Sequence, residues 1–309
     1  MKVFLTGGTG VVGRPLVPLL VAAGHEVRAV CRREDAAAQL RADGAEPVAV
    51  DIFDAQAVKQ AVVGTDAVVH LATNVPTLTK AGRPKGWDTH SRLRTEATKH
   101  LVAAAGAAGA QRFVKESVTF TYRDGGDTWL TEDSLLLSDL GLLASTIEGE
   151  REALTFAEAG GRAIVLRFGL FYGGAGNRGT DEALKLARFR RSMIAGSSDA
   201  YLSSIHCADV AAAVVAALGV ETGIYNVTDR DPMRRGEYLA AFANAFGVKV
   251  PKPTPAGLIR LGAGAATAHG LSASQRVSNA RFVAATGWSP KYPSARHGWA
   301  AVAADQKEQ

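Results

Sequence analysis

The first thirteen residues, Met1-Lys-Val-Phe-Leu-Thr-Gly-Gly-Thr-Gly-Val-Val-Gly13, restrict the fold more than any other stretch. Lys2 to Leu5 is a short apolar run around Val3 and Phe4, the pattern of a strand buried on both faces in a parallel sheet. It stops at Thr6-Gly7-Gly8-Thr9-Gly10, and a helical apolar pattern begins at Val11. Gly8, Gly10 and Gly13 fit G-x-G-x-x-G, while Gly7, Gly10 and Gly13 fit G-x-x-G-x-x-G. Both spacings serve the same physics. A tight strand-to-helix turn needs positive φ, the backbone must approach a pyrophosphate closely, and the helix must pack on its strand without a Cβ between them. The N–H groups and dipole at the helix start then hold the phosphates. Position after a strand and before a helix separates this turn from an ordinary glycine-rich one. Gly7, Thr9, Gly10, Val11, Val12 and Gly13 are therefore expected to cradle a dinucleotide.

The chain beyond this turn alternates. Helical pattern from about Val12 to Ala23 carries Pro15 in its first turn and stops at Gly24. Strand pattern follows at Glu26 to Val30, helix at 34–43, strand at Pro47 to Val50, helix at 54–63 and strand at Ala67 to Leu71. A long helix is expected over Asp88 to Ala108, a strand over Arg112 to Thr119, a helix over 142–159 and a strand over Arg162 to Phe168. Asp181 to Ile194 reads as one basic helix, 207–218 as a packed helix and Thr222 to Val227 as a last strand. The tail after Ala303 reads as frayed. Strand–helix alternation with short turns implies an α/β, Rossmann-like, doubly wound parallel sheet. Residues 1–168 and 203–227 would form the dinucleotide-binding domain. Residues 169–202 and 228–300 would form a smaller, mostly helical substrate lobe.

The end of the second strand bears on which dinucleotide fits. A site for an unphosphorylated ribose usually has an acid there. This chain has Val30-Cys31-Arg32-Arg33. Two guanidinium groups suit a 2′-phosphate, so Arg32 and Arg33 favour NADP(H). Asp51, beside Ile52 after the third strand, is placed to accept from an adenine amino group or to cap a helix. His70, on an apolar strand, reads as a satisfied core histidine. Leu71, Ala72 and Thr73 would pass beside the cofactor, and the loop over 74–87 would be a substrate wall.

Composition narrows the classes further. At 309 residues and 47% hydrophobic, the chain can bury one large α/β core. No apolar run has the length of a membrane span, and the opening strand is too short for a signal peptide, so a cytoplasmic location is expected. Two cysteines, Cys31 and Cys207, imply neither a disulfide framework nor a cysteine metal site. The net charge of +5 is mild and its basic residues scattered, which gives no nucleic-acid footprint. Monomer and homodimer both remain open.

Further motifs carry a resemblance. Thr6-Gly-Gly-Thr-Gly-Val-Val-Gly13, His70-Leu-Ala72, Arg112-Phe-Val114, Arg167-Phe-Gly-Leu-Phe-Tyr-Gly173, Ile205-His-Cys-Ala-Asp-Val210, Tyr225-Asn-Val227 and Thr286-Gly-Trp-Ser-Pro290 stand in the order of the extended short-chain dehydrogenases/reductases. The chain resembles that family over nearly its whole length, and in particular its atypical ketoreductases of angucyclinone-type polyketides. The resemblance implies Phe168, Gly169 and Leu170 at the cofactor. It also implies a catalytic Ser or Thr at the end of the fifth strand, which here is Ser117 or Thr119 because Val118 stands at the family's position.

The family's proton relay is a Tyr-x-x-x-Lys pair on a helix, in which the lysine lowers the tyrosine pKa. Counting back from Glu150 puts Leu142 and Thr146 at those two places, and none of the tyrosines 122, 172, 201, 225, 238 and 292 has lysine four residues on. Lys115 and Glu116 read as paired charges with a possible acid/base role. Phe120, Phe171, Tyr172 and Met193 read as apolar pocket-side residues. An NADPH-dependent reductase of an apolar aromatic ketone, taking its proton from water or from the substrate, fits this set. A non-catalytic NADP(H) sensor and a nucleotide-sugar epimerase or dehydratase are the alternatives.

Overall fold

A computed structural model of the protein describes residues 1–76, 84–174 and 177–308. Seven parallel strands make the central sheet: β1 (Lys2–Thr6), β2 (Glu26–Val30), β3 (Glu46–Val48), β4 (Ala67–His70), β5 (Arg112–Val118), β6 (Arg162–Phe168) and β7 (Gly223–Val227). Their order is β3-β2-β1-β4-β5-β6-β7, so the chain runs outward from β1 in both directions. This is the doubly wound, Rossmann-like arrangement, with its switch point between β1 and β4.

Alternation along each strand feeds two core layers. Val3, Leu5, Val69, Val114 and Leu166 pack under α1 (Gly13–Ala22), α2 (Glu34–Ala42) and, further along the chain, the helix Cys207–Ala217. Phe4, Val68, Phe113 and Val165 face the other way, under α3 (Ala55–Ala61), α4 (Asp88–Arg94), α5 (Glu96–Ala107) and α6 (Ala144–Leu154). Burial on both faces is why these strands read as continuous apolar runs.

A third core lies outside the sheet. Tyr172, Leu202, Met233, Tyr238, Phe242 and Trp299 gather where the helices Arg235–Phe246 and Ala295–Glu308 pack together. Short strands tie this region to the sheet end. Ser204–His206 lies parallel to Leu170–Tyr172, and Arg276–Val277 lies parallel to Trp129–Leu130.

Four expectations need correction. The helix expected over Asp88 to Ala108 is broken at Thr95, whose φ of −105° and ψ of −74° separate α4 from α5. The basic stretch Asp181 to Ile194 is a helix only over Arg178–Ala187; it turns at Arg190, with φ 56°, into a strand, Arg191–Ala195. That strand pairs with Lys252–Thr254, a partner that local pattern cannot reveal. The chain does not leave regular structure after Ala303: the last helix, anchored by buried Trp299, Val302 and Ala303, runs to Glu308. Tyr172, expected at a pocket, is only 1% exposed and packs between His206, Tyr238 and Trp299. No described helix is long and apolar enough to cross a membrane. The substrate wall expected over 74–87 lies outside the described residues at 77–83.

Candidate active site

The glycine turn joins β1 to α1. Gly7 has φ +83°, and a Cβ there would meet the Leu71 carbonyl carbon at 2.8 Å and the Ala72 nitrogen at 2.9 Å. A Cβ on Gly13 would overlap the Gly7 carbonyl and the Gly8 backbone. Gly8 has no positive φ and is limited instead by Ala29 and Leu5 side chains. The working spacing is therefore Gly7, Gly10 and Gly13. Gly10 N–H bonds the Gly7 carbonyl at 3.0 Å, which closes the turn. Among the described residues, the N–H groups of Val11, Val12 and Gly13 have no backbone acceptor, and α1 carries neither a side-chain cap nor an acid in its first turn. A helix start kept bare of protein anions is electrostatically suited to a phosphate. Gly7, Thr9, Gly10, Val11, Val12 and Gly13 thus stand together, with Leu71 and Ala72 against them and Thr73 exposed just beyond.

The other expected cofactor residues lie along the same carboxyl edge. Arg32 and Arg33 are exposed at the end of β2, where Arg33 makes a solvated pair with Asp35 at 3.2 Å. Asp51 is exposed after β3 and accepts from the Phe53 N–H at 3.0 Å; the helix cap of α3 is Asp54 instead. Ile52 is buried beside it. At the end of β6, Phe168 and Gly169 are buried, and the N–H groups of Gly169 and Leu170 bond the carbonyls of Val227 and Ser203. His70 is a core histidine: Nε2 donates to the Leu93 carbonyl at 2.9 Å, so Nδ1 accepts the Thr6 hydroxyl at 2.7 Å. Burial, then the charge of Lys115, keeps its pKa well below the usual value and the ring neutral.

At the end of β5 the two candidate hydroxyls differ. Ser117 is buried and donates to Glu150 Oε1. Arg167 clamps the same carboxylate with Nε–Oε1 at 2.8 Å and Nη2–Oε2 at 2.6 Å. Its third arm donates to the Tyr122 hydroxyl at 3.0 Å, which donates to Asn226 Oδ1 at 2.8 Å. Burial disfavours the guanidinium, yet its bonds to Glu150 hold its pKa above the usual arginine value. Ser117 and Tyr122 are thus spent on this buried chain. Thr119 is also buried, but its hydroxyl has no partner among the described residues. The same holds for the hydroxyls of Ser145 and Thr146 at the start of α6, next to Leu142 in the turn Gly141–Leu143. Buried hydroxyls are normally bonded, so these three each have a hydrogen bond still to make. Replacing Ser117 by alanine is expected to cost about 1.5–3 kcal/mol of stability, the range for a bond to a charged group. Replacing Thr119 by valine removes an unpaired buried hydroxyl, so it is expected not to lower stability while weakening substrate turnover. Urea unfolding and steady-state kinetics check the two.

Arg94 is a further residue of this region that no motif marks. It reaches from α4 to Glu116 Oε1 at 2.9 Å, and its Nε donates to His90 at 2.8 Å. Lys115 donates to the Glu116 carbonyl at 2.7 Å and lies 3.8 Å from the Glu116 carboxylate. A signal was present: His90, Leu93, Arg94, Ala97 and Leu101 share one buried helical stripe, on which an arginine needs a buried partner.

This geometry meets three comparisons. Residues 7–146 match the model of an NAD(P)H-binding family. A Streptomyces 3-diazoavenalumate denitrifying reductase is 36% identical over 309 residues, covering 96% of this chain and 99% of that one. The chain belongs to the short-chain dehydrogenase/reductase family, as an atypical member. A Stigmatella aurantiaca ketoreductase, named for 4-hydroxy-2-methyl-3-oxo-4-farnesyl-3,4-dihydroquinoline-1-oxide, is 28% identical over 81% of this chain and 74% of its own. Among solved structures, MoeE5 with UDP-glucose and NAD aligns with a TM-score of 0.79 at 23% identity, covering 100% of this chain and 99% of that one. A human epimerase family protein with NADPH aligns at 0.78 and 23%, covering 99% and 100%. These two likenesses are of fold. The family relation makes this short-chain reductase homologue an oxidoreductase that binds a nicotinamide dinucleotide.

Proposed function

We propose that this family member is an NADPH-dependent reductase of an aromatic secondary metabolite that works without a tyrosine proton donor. The observation that carries the reading is the intact glycine cradle combined with Leu142 and Thr146 where the family places its relay. When bound, the dinucleotide supplies the hydride. The chain supplies grip and orientation: Gly7 to Gly13 at the pyrophosphate, Arg32 and Arg33 at the 2′-phosphate, Asp51 and Ile52 at the adenine. Leu71 to Thr73 and Phe168 to Leu170 would border the nicotinamide half, and residues 169–202 and 228–300 would form the substrate lobe.

Two substrate classes fit a site without the tyrosine. An aromatic ketone needs one proton besides the hydride, which water or a neighbouring phenol on the substrate provides. This is the class that the motifs alone favour, and the Stigmatella relative is named a ketoreductase. The full-length Streptomyces relative is named for a diazo compound and for loss of nitrogen. An aryl diazonium that gains a hydride releases N₂ and keeps the new C–H bond; the balance closes without any proton. Incubation with NADPH deuterated at the transferable position tests both. Deuterium on a carbinol carbon or on the ring carbon supports the proposal and names the class. No transfer to either class by protein that binds NADPH supports the sensor reading instead.

Replacing both Arg32 and Arg33 by alanine is expected to raise the Kd for NADPH about 10- to 100-fold, through loss of charge-assisted bonds to a phosphate. NADH binding should change less than about twofold. Parallel fluorescence titrations check the contrast.

A further inference from the structure

Lys115 is only 1% exposed, yet it sits among charges drawn from every neighbouring element. Glu116 lies beside it on β5, Arg94 and His90 come from α4, His70 from β4 and Glu150 from α6. Glu150 is held by Arg167, and His70 and His90 both have lowered pKa values, His90 to about 4, burial being the first cause for each. Glu116 therefore faces two cations, Arg94 and Lys115, and the cluster carries an excess positive charge.

Its place is close to the cofactor edge. His70 with Lys115 is the last pair between β4 and β5. The next residue, Glu116, therefore stands alongside Leu71, whose backbone abuts Gly7. Gly149 of α6 lies over the Lys115 stem: a Cβ there would sit 3.6 Å from Lys115 Cε and overlap the Arg94 carbonyl. Gly149 is one helical turn beyond Thr146. An ammonium thus rises from the strand beneath the helix from which the family's lysine is missing.

We infer that Lys115 is a proton store coupled to the charge of the nicotinamide, protonated beside the neutral reduced ring and deprotonated beside the cationic oxidised one. The inference rests on the dinucleotide-binding reading and is independent of the substrate. Burial pulls the amine down to about 8, against the opposing charge of Glu116. It is mostly protonated at neutral pH, and a further positive charge in this water-poor interior presses the proton off. In that step one N–H bond of Lys115 breaks and the electron pair stays on nitrogen. The proton goes to water, which can relay it to the carbonyl oxygen of a ketone substrate.

Linkage makes the store visible without turnover. A protonated Lys115 weakens NADP⁺ binding and leaves NADPH binding unaffected. The ratio Kd(NADP⁺)/Kd(NADPH) is expected to fall about tenfold as pH rises from about 6.5 to 9, given charge interactions at protein-like dielectric. Titration of the 2′-phosphate is common to both nucleotides and cancels in the ratio. Calorimetric titrations of the full protein in two buffers of different ionisation enthalpy should show proton release with NADP⁺ only. Lys115→Met should hold the ratio flat at its high-pH value, and Lys115→Arg should hold it flat at its low-pH value. A pH-independent ratio in the unaltered protein, with both nucleotides bound, overturns the inference. So does a pH dependence that survives in Lys115→Met. Failure of both nucleotides to bind overturns the dinucleotide reading itself and the inference with it.

Discussion

Replacing Gly13 with alanine is expected to abolish productive dinucleotide binding, raising the Kd for NADPH by roughly 100-fold or more. The added methyl would occupy the space of the Gly7 carbonyl and the Gly8 backbone. Neither can retreat: Gly7 is pressed against Leu71 and Ala72, and its N-terminal neighbour Thr6 is bonded to His70. The strain is therefore relieved by lifting α1 from β1, which moves the N–H groups of Val11 to Gly13 away from the phosphates. Gly24→Ala is the control. Gly24 also has positive φ, at +80°, but a Cβ there meets nothing within 4 Å. It should cost about 1 kcal/mol of stability and leave binding intact. Thermal melts and NADPH titrations of the two variants separate a lost cradle from a strained backbone.

Arg167→Met is expected to cost about 3–5 kcal/mol of folding stability, the range for breaking a buried ion pair. It leaves the Glu150 carboxylate buried with the Ser117 hydroxyl as its remaining partner and takes one donor from Tyr122. The double variant Glu150→Leu with Arg167→Met should recover most of the loss, because no uncompensated charge remains. Urea unfolding of the single and double variants measures the difference. The chain of bonds joins α6, β5, β6 and, through Asn226, β7. Its loss should also lower turnover by displacing Thr119 at the end of β5.

What the sequence made legible follows from how local each signal is. The central strands β1 and β4 are apolar runs buried on both faces, and the glycine turn is a backbone requirement written in consecutive residues. Thr95 bends the chain between two helical stretches without a proline or glycine to announce it, and that break brings Arg94 against Gly149. The strand Arg191–Ala195 exists because Lys252–Thr254 lies beside it. A run rich in arginine gave helix as the better local reading. Tyr172 belongs to a motif near the site, but its burial is decided by Tyr238 and Trp299, far along the chain. The same limit applies to function. Lys115 and Glu116 could be seen as charges on a strand, whereas the excess of cations there depends on Arg94 arriving from α4.

The measurement closest to the central claim is a direct titration of the purified protein with NADPH and, in parallel, with NADH. The account predicts saturable NADPH binding at about micromolar concentrations, tighter than NADH by about tenfold or more. No saturable binding of either nucleotide, or a preference for NADH, would contradict it.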